Sequence, residues 1–199
     1  MAQAQIGTKT SEVPQGLTLQ AVDHLALVTD DMAETVRFYT EVLGMKLVHV
    51  MRTPGVYNAE RGNPPYPKIR HYFFDMGNGG LLAFFEYPKG VAQSDRDALG
   101  GMQHVAFHGD RATFQRFQDH FKDKGVPFVG PLDLGIRNSI YFFDNNGIRL
   151  EITTVMDTED FDAVATVLQT EEAARAELST LFESEGELRA VLGSMTLAD

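Results

Sequence analysis

The chain has 199 residues, 43% of them apolar and 10% aromatic, enough for one or two small domains with a core of their own. It contains no cysteine, which excludes disulfides, thiolate metal sites and cysteine nucleophiles and leaves His, Asp, Glu and backbone oxygen as metal ligands. The formal charge of −11 is uneven: residues 156–199 hold eleven acidic and two basic side chains, residues 1–155 seventeen and fifteen. A near-neutral body without a Lys/Arg stripe argues against a nucleic-acid partner. No apolar run approaches the roughly 18 residues of a membrane span, and the start Met1-Ala-Gln-Ala-Gln-Ile lacks the pattern of a signal peptide, so a cytoplasmic location is expected.

Residues 1–18 are polar, contain Pro14 and Gly16 and show no periodicity, which suits a flexible arm. From Leu19 the sequence alternates: Val22, His24, Ala26 and Val28 share one face of an extended segment, Leu25 and Leu27 the other. Asp31 and Glu34 fit an N-terminal cap, Met32, Val36, Tyr39 and Leu43 recur at helical spacing, and Gly44 is placed to end the helix. Met45–Met51 reads as a second strand. Thr53–Lys68, with four prolines, reads as a long loop, and Ile69–Asp75 with Leu81–Tyr87 as a hairpin.

A polar linker over 91–101 closes this first module, residues 19–90, and residues 102–155 repeat its order. Strand Met102–His108 leads to a helix opened by Asp110 and stopped by Gly125, with Phe114, Phe117 and Phe121 on its buried stripe. Strands Val126–Val129, Ser139–Asp144 and Ile148–Val155 follow, so each half reads β-α-β-β-β. Residues 156–199 predict an acidic tail of two or three amphipathic helices.

The repeat singles out two histidines. His24 and His104 sit at matching places in the two opening strands, each two residues before a small alanine, Ala26 or Ala106. Pseudo-symmetric packing of the modules would bring these strands, and so the two imidazoles, together. Glu151 and Glu86 lie in the last strands of the two modules. Two imidazoles with one or two carboxylates and no sulfur suit one divalent ion, Fe, Mn, Ni, Co or Zn, with open positions for water or substrate.

Four stretches, Asp23-His24-Leu25-Ala26-Leu27, Gln103-His104-Val105-Ala106-Phe107, Phe38–Gly44 and Tyr141–Glu151, together resemble the vicinal oxygen chelate superfamily. That superfamily comprises glyoxalase I, bleomycin-resistance proteins, fosfomycin-resistance transferases and extradiol dioxygenases. The resemblance covers about residues 20–155. It implies an α+β fold in which two tandem βαβββ modules form a curved mixed sheet around a metal cup, with the helical tail added. It also implies that His24, His104 and Glu151 bind the metal, with Glu86 as a fourth ligand. The metal would hold a small substrate through two neighbouring oxygens.

The resemblance to extradiol enzymes is carried by Tyr141, Asp144, Gly147 and Glu151. Those enzymes have a proline where Asn145 stands, and an acid-base histidine before the tyrosine, where Leu132–Asn138 has none. Ring cleavage would then need Tyr141, His71 or His108 as proton donor. Because four ligand candidates are present and that histidine is absent, the expectation leans to glyoxalase-like isomerase or lyase chemistry with Glu86 or Glu151 as base. The alternatives are an Fe(II)-dependent extradiol-type dioxygenase and a metal-free, bleomycin-resistance-like binding protein. His71, Tyr72, His108, Arg52 and Arg137 are candidates for the substrate pocket, and His49 and His120 for the surface. A homodimer is the expected assembly.

Overall fold

The computed structural model describes residues 19, 21–55, 65–77, 79–155 and 162–198. The arm expected over 1–18 and the centre of the Thr53–Lys68 loop lie outside them. Residues Ala21–Glu159 form one compact unit, and the C-terminal helices belong to another.

The larger unit is α+β, with two β-α-β-β-β modules in tandem. The first runs β1 (His24–Thr29), α1 (Met32–Arg37), β2 (Lys46–Arg52), β3 (Arg70–Gly77) and β4 (Gly80–Glu86). The second runs β5 (Val105–His108), α2 (Arg111–Lys124), β6 (Phe128–Asp133), β7 (Arg137–Phe143) and β8 (Arg149–Val155). Their sheets have the orders β1-β4-β3-β2 and β5-β8-β7-β6. The β1/β4 and β5/β8 pairs are parallel and the others antiparallel. Each opening strand is thus the edge of its own sheet. The expected meeting of the two opening strands does not occur within one chain.

The helix boundaries follow local chemistry. The Asp31 side chain accepts from the Glu34 N–H and opens α1, which continues as a π-helical turn over Phe38–Val42 before Gly44 turns at φ 69°. Asp110 accepts from the Thr113 N–H and opens α2, and Gly125 ends it at φ 68°. A side chain at either glycine would strain the left-handed backbone.

One face of each sheet packs on these helices. Phe74, Leu82 and Phe84 from the first sheet, Ile140, Phe142 and Leu150 from the second, and Tyr39, Phe114 and Phe121 from the helices form one continuous core. Each such side chain contributes about 1.5–3 kcal/mol when fully buried. A polar seam fixes the modules to each other. The Tyr39 hydroxyl donates to Asp144 Oδ2 at 3.0 Å, the Thr29 hydroxyl to Asn146 Oδ1 at 2.7 Å, and Asn145 Nδ2 to the Thr35 hydroxyl at 3.0 Å. Because the modules join through their helix sides, the opposite face of each sheet is left open. Along β1, Leu27 and Thr29 are buried, while His24, Ala26 and Val28 are exposed.

The C-terminal unit contains α3 (Glu171–Leu178) and α4 (Glu185–Leu192), N-capped by Thr170 and Ser184. Ala174, Leu188 and Leu192 pack with Leu178 and Phe182 into a small cluster. Within the expected helical tail, Ala165–Val167 is only a 3-10 turn, because the backbone turns extended at Leu168; Val164 and Val167 stay exposed. Among the described residues, no helix is long and apolar enough to cross a membrane.

Candidate metal centre

Strand register decides which side chains share the open faces. In the first module Ala26 pairs with Ala83, and Phe73 with Ala83 from the other side. In the second, Ala106 pairs with Glu151, and Tyr141 with Glu151. The open face of the second sheet therefore carries Glu151, Thr153, Tyr141, Ser139, Arg137 and His108. On the first, the register groups His24, His71, Phe73, Phe85 and His49.

His104 lies one residue ahead of β5, and its Nε2 is 3.0 Å from Glu151 Oε2. Its Nδ1 is hydrogen-bonded to Gln103 Oε1, and the other Glu151 oxygen accepts from the Ser139 hydroxyl. Glu151 is buried. A ring proton on Nδ1, donated to Gln103, leaves the Nε2 lone pair facing a carboxylate oxygen, an arrangement that a cation between the two atoms satisfies; a proton on Nε2 makes the same contact a hydrogen bond to Glu151. Two donors each about 2.1 Å from one metal ion and at right angles stand about 3.0 Å apart. The pair fits two adjacent positions around a divalent ion.

His24 repeats half of this arrangement. Its Nδ1 is 2.6 Å from Asp23 Oδ1, which leaves Nε2 as the free donor, and its ring meets Phe73 edge-on. Among the described residues, however, no three His, Asp or Glu side chains stand together at metal-holding spacing. One chain brings His104 to Glu151 but does not bring His24 to them.

Three expected site residues face the other way. Glu86 pairs with Thr29 on the helix side of β4, accepts from the Met32 N–H at 3.1 Å and forms an ion pair with Arg70. It caps α1 and does not share the face of His24. Tyr72 alternates with His71 and Phe73 and so points to the helix side, packed against the core. Arg52 pairs with Arg70 and donates to the Lys68 carbonyl at 2.9 Å.

The remaining candidates stay on the open faces. His71 is buried, stacked on Phe85 at 3.7 Å, and its Nε2 has no hydrogen-bond partner among the described residues. Burial, helped by nearby His24 and His49, pushes its imidazole down to about 4. Burial and then Arg137 lower His108, against the pull of Asp110. The Tyr141 phenol is raised by burial and then by the Glu151 charge, and Arg149 lies over its ring at 4.5 Å.

Sequence reasoning missed Asp23, Gln103 and Ser139 as partners of the ligand candidates; His49, expected at the surface, is exposed and lies beside Phe73 at 5.6 Å. The two neighbours of histidine were readable from the repeat itself; Ser139 needed the strand register. A cavity of about 260 Å3 lies between Met45, Met76, Phe107 and Phe117; His108 is part of its lining, and His104 and Glu151 are not.

A model of the Glyoxalase/Bleomycin resistance protein/Dioxygenase superfamily matches residues 21–152. The uncharacterized protein YwkD of Bacillus subtilis (strain 168) is 21% identical over 146 residues, covering 68% of this chain and 98% of its own. A glyoxylase/bleomycin resistance protein/dioxygenase domain from Frankia sp. EAN1pec superposes with a TM-score of 0.57 at 19% identity, covering 71% of this chain and 96% of that one. A variant of the fosfomycin resistance protein FosX from Listeria monocytogenes, solved with Mn(II) and 1S,2S-dihydroxypropylphosphonic acid, gives a TM-score of 0.50 at 17% identity, covering 68% and 92%. With two βαβββ modules built as above and two thirds of its length matched, this chain belongs to the Glyoxalase/Bleomycin resistance protein/Dioxygenase superfamily.

Proposed function

We propose that the protein is a divalent-metal enzyme whose centre is assembled from two copies of the chain, with His104 and Glu151 from one and His24 from the other. The observation that carries this is the His104–Glu151 contact, in which an imidazole nitrogen and a carboxylate oxygen converge at 3.0 Å with both side chains held from behind. The second copy is called for by the isolation of His24 and by the open sheet faces. Val28, Val129 and Phe143 are exposed there, Val129 at 63% and Phe143 at 51%. The edge strands β1 and β5 also present backbone groups that a partner strand can pair. The FosX variant solved in complex with Mn(II) is consistent with metal on this fold.

Glu86 was the residue that favoured a four-ligand, glyoxalase-like centre, and it caps α1 instead. Two imidazoles and one carboxylate remain, the facial set of non-haem Fe(II) oxygenases. We therefore favour a dioxygenase of the extradiol type, acting on a small substrate held through vicinal oxygens. The metal, when bound, supplies a Lewis acid for the charge that develops on those oxygens. Ser139 holds Glu151 in place from behind. Tyr141 offers its phenol as a hydrogen-bond donor on the same face, and neutral His108 an acceptor for a substrate proton. Phe73 and Phe85 provide an apolar wall on the His24 half.

Anaerobic protein loaded with Fe(II) and mixed with catechols tests this. Oxygen uptake on admission of air, abolished in Glu151→Ala, is the expected result. Hemithioacetal turnover without oxygen, and no oxygen uptake with catechols, would contradict the dioxygenase assignment.

A further inference from the structure

The two ligand histidines share a feature that no role described so far requires. In each module the residue immediately before the histidine holds the ring Nδ1: Asp23 Oδ1 for His24 at 2.6 Å, and Gln103 Oε1 for His104. The Asp23 side chain lies at the surface, where packing gives it no reason to take this position. Its backbone is anchored, since the Asp23 carbonyl accepts from the Leu81 N–H at 3.1 Å in continuation of the β1/β4 ladder. The carboxylate therefore starts from a fixed point beside the ring.

We propose that Asp23 and Gln103 are positioning residues that select the Nδ1–H form of each histidine, and that their difference in charge makes the His24 half the stronger donor. This rests on the metal-centre reading above. A hydrogen bond from Nδ1–H to an oxygen commits the proton there, leaves the lone pair on Nε2 and fixes the plane of the ring. A carboxylate draws the Nδ1 proton more strongly than a neutral amide and leaves the ring richer in electrons. The centre is thus asymmetric in its outer partners as well as its ligands. The His24 half has an anionic partner and no carboxylate ligand of its own, because its Glu151 equivalent is Ala83. The His104 half has Glu151 and a neutral partner.

The test uses the full chain at pH 8, where free imidazole is neutral. Co(II) affinity is read by titration and the ligand field from the visible spectrum. Ring tautomers in the metal-free protein are read by nitrogen NMR of the imidazoles. Asp23→Ala and Gln103→Ala are each expected to weaken Co(II) binding by about 10- to 100-fold, and Asp23→Ala to shift the His24 ring toward the Nε2–H form. Asp23→Asn, which keeps an oxygen acceptor but loses the charge, is expected to fall between wild type and Asp23→Ala, and Gln103→Glu to bind at least as tightly as wild type. Unchanged affinity and tautomer in Asp23→Ala, in protein with wild-type circular dichroism, would overturn the positioning role. Asp23→Asn indistinguishable from wild type would overturn the asymmetry. Wild-type protein that takes up no Co(II) would overturn the centre and this inference with it, whereas wild-type uptake with unaffected variants overturns the inference alone.

Discussion

Glu151 and Ala83 occupy equivalent places in the two modules: each pairs with the alanine two residues after the opening histidine, and each stands opposite an aromatic ring, Tyr141 or Phe73. The repeat is therefore symmetric in its imidazoles and asymmetric in its carboxylates. One carboxylate at this register position per pair of modules would leave room around a metal ion that a second would fill.

Glu86 is then a structural residue, and its removal separates the two roles. Glu86→Ala loses the acceptor for the Met32 N–H and the partner of Arg70. It is expected to lower stability by about 1–2 kcal/mol while leaving metal content unchanged. Chemical denaturation paired with metal analysis checks this; loss of metal in a folded variant would restore Glu86 as a ligand.

How far the sequence could be read is clearest at these residues. Asp31, Gly44, Asp110 and Gly125 work locally, so the bounds of both helices could be read from residue type and spacing. His24 and His104 stood out because the module repeats. Glu86 resembles a ligand by its place at the end of the last strand, just before the linker, which does not fix strand parity. Register counted from Phe73 or Tyr141 leads to Ala83 in one module and Glu151 in the other. The separation of His24 from His104 was not readable either. It depends on Tyr39 reaching Asp144 across the seam, a contact between residues 105 positions apart.

His71 makes the acid side of the stability profile informative. Its folded-state pKa, lowered to about 4, lies below the value near 6.5 of the unfolded chain. The stability it contributes is full above pH 6.5 and is lost as pH falls through 4. His71→Phe, which keeps a ring against Phe85 and removes the unpartnered Nε2, is expected to flatten this loss and to raise stability at pH 5. Urea titrations between pH 4 and 7 measure it, and an unchanged acid limb would show that His71 is not the group responsible.

Tyr39 governs the alkaline side. Burial, with the Asp144 charge and their hydrogen bond, raises its phenol well above 10. The folded state therefore keeps a proton that the unfolded chain loses near pH 10, and stability falls as pH rises above that value. Tyr39→Phe is expected to cost about 1–2 kcal/mol at pH 8, through the lost bond to Asp144, and to weaken the decline above pH 10. Denaturation at pH 8 and 10.5 distinguishes this from a uniform loss of stability.

The claim that His24 meets His104 and Glu151 across two chains has a direct test in mixing. His24→Ala and Glu151→Ala chains, each deficient in metal binding alone, are unfolded together, refolded as an equimolar mixture and measured for bound Co(II) per chain. A centre shared between chains regains about a quarter of wild-type metal, because half of the dimers are mixed and each of those holds one intact centre. Recovery near that level is the predicted result; a mixture that binds no more metal than the separate variants would contradict the shared centre.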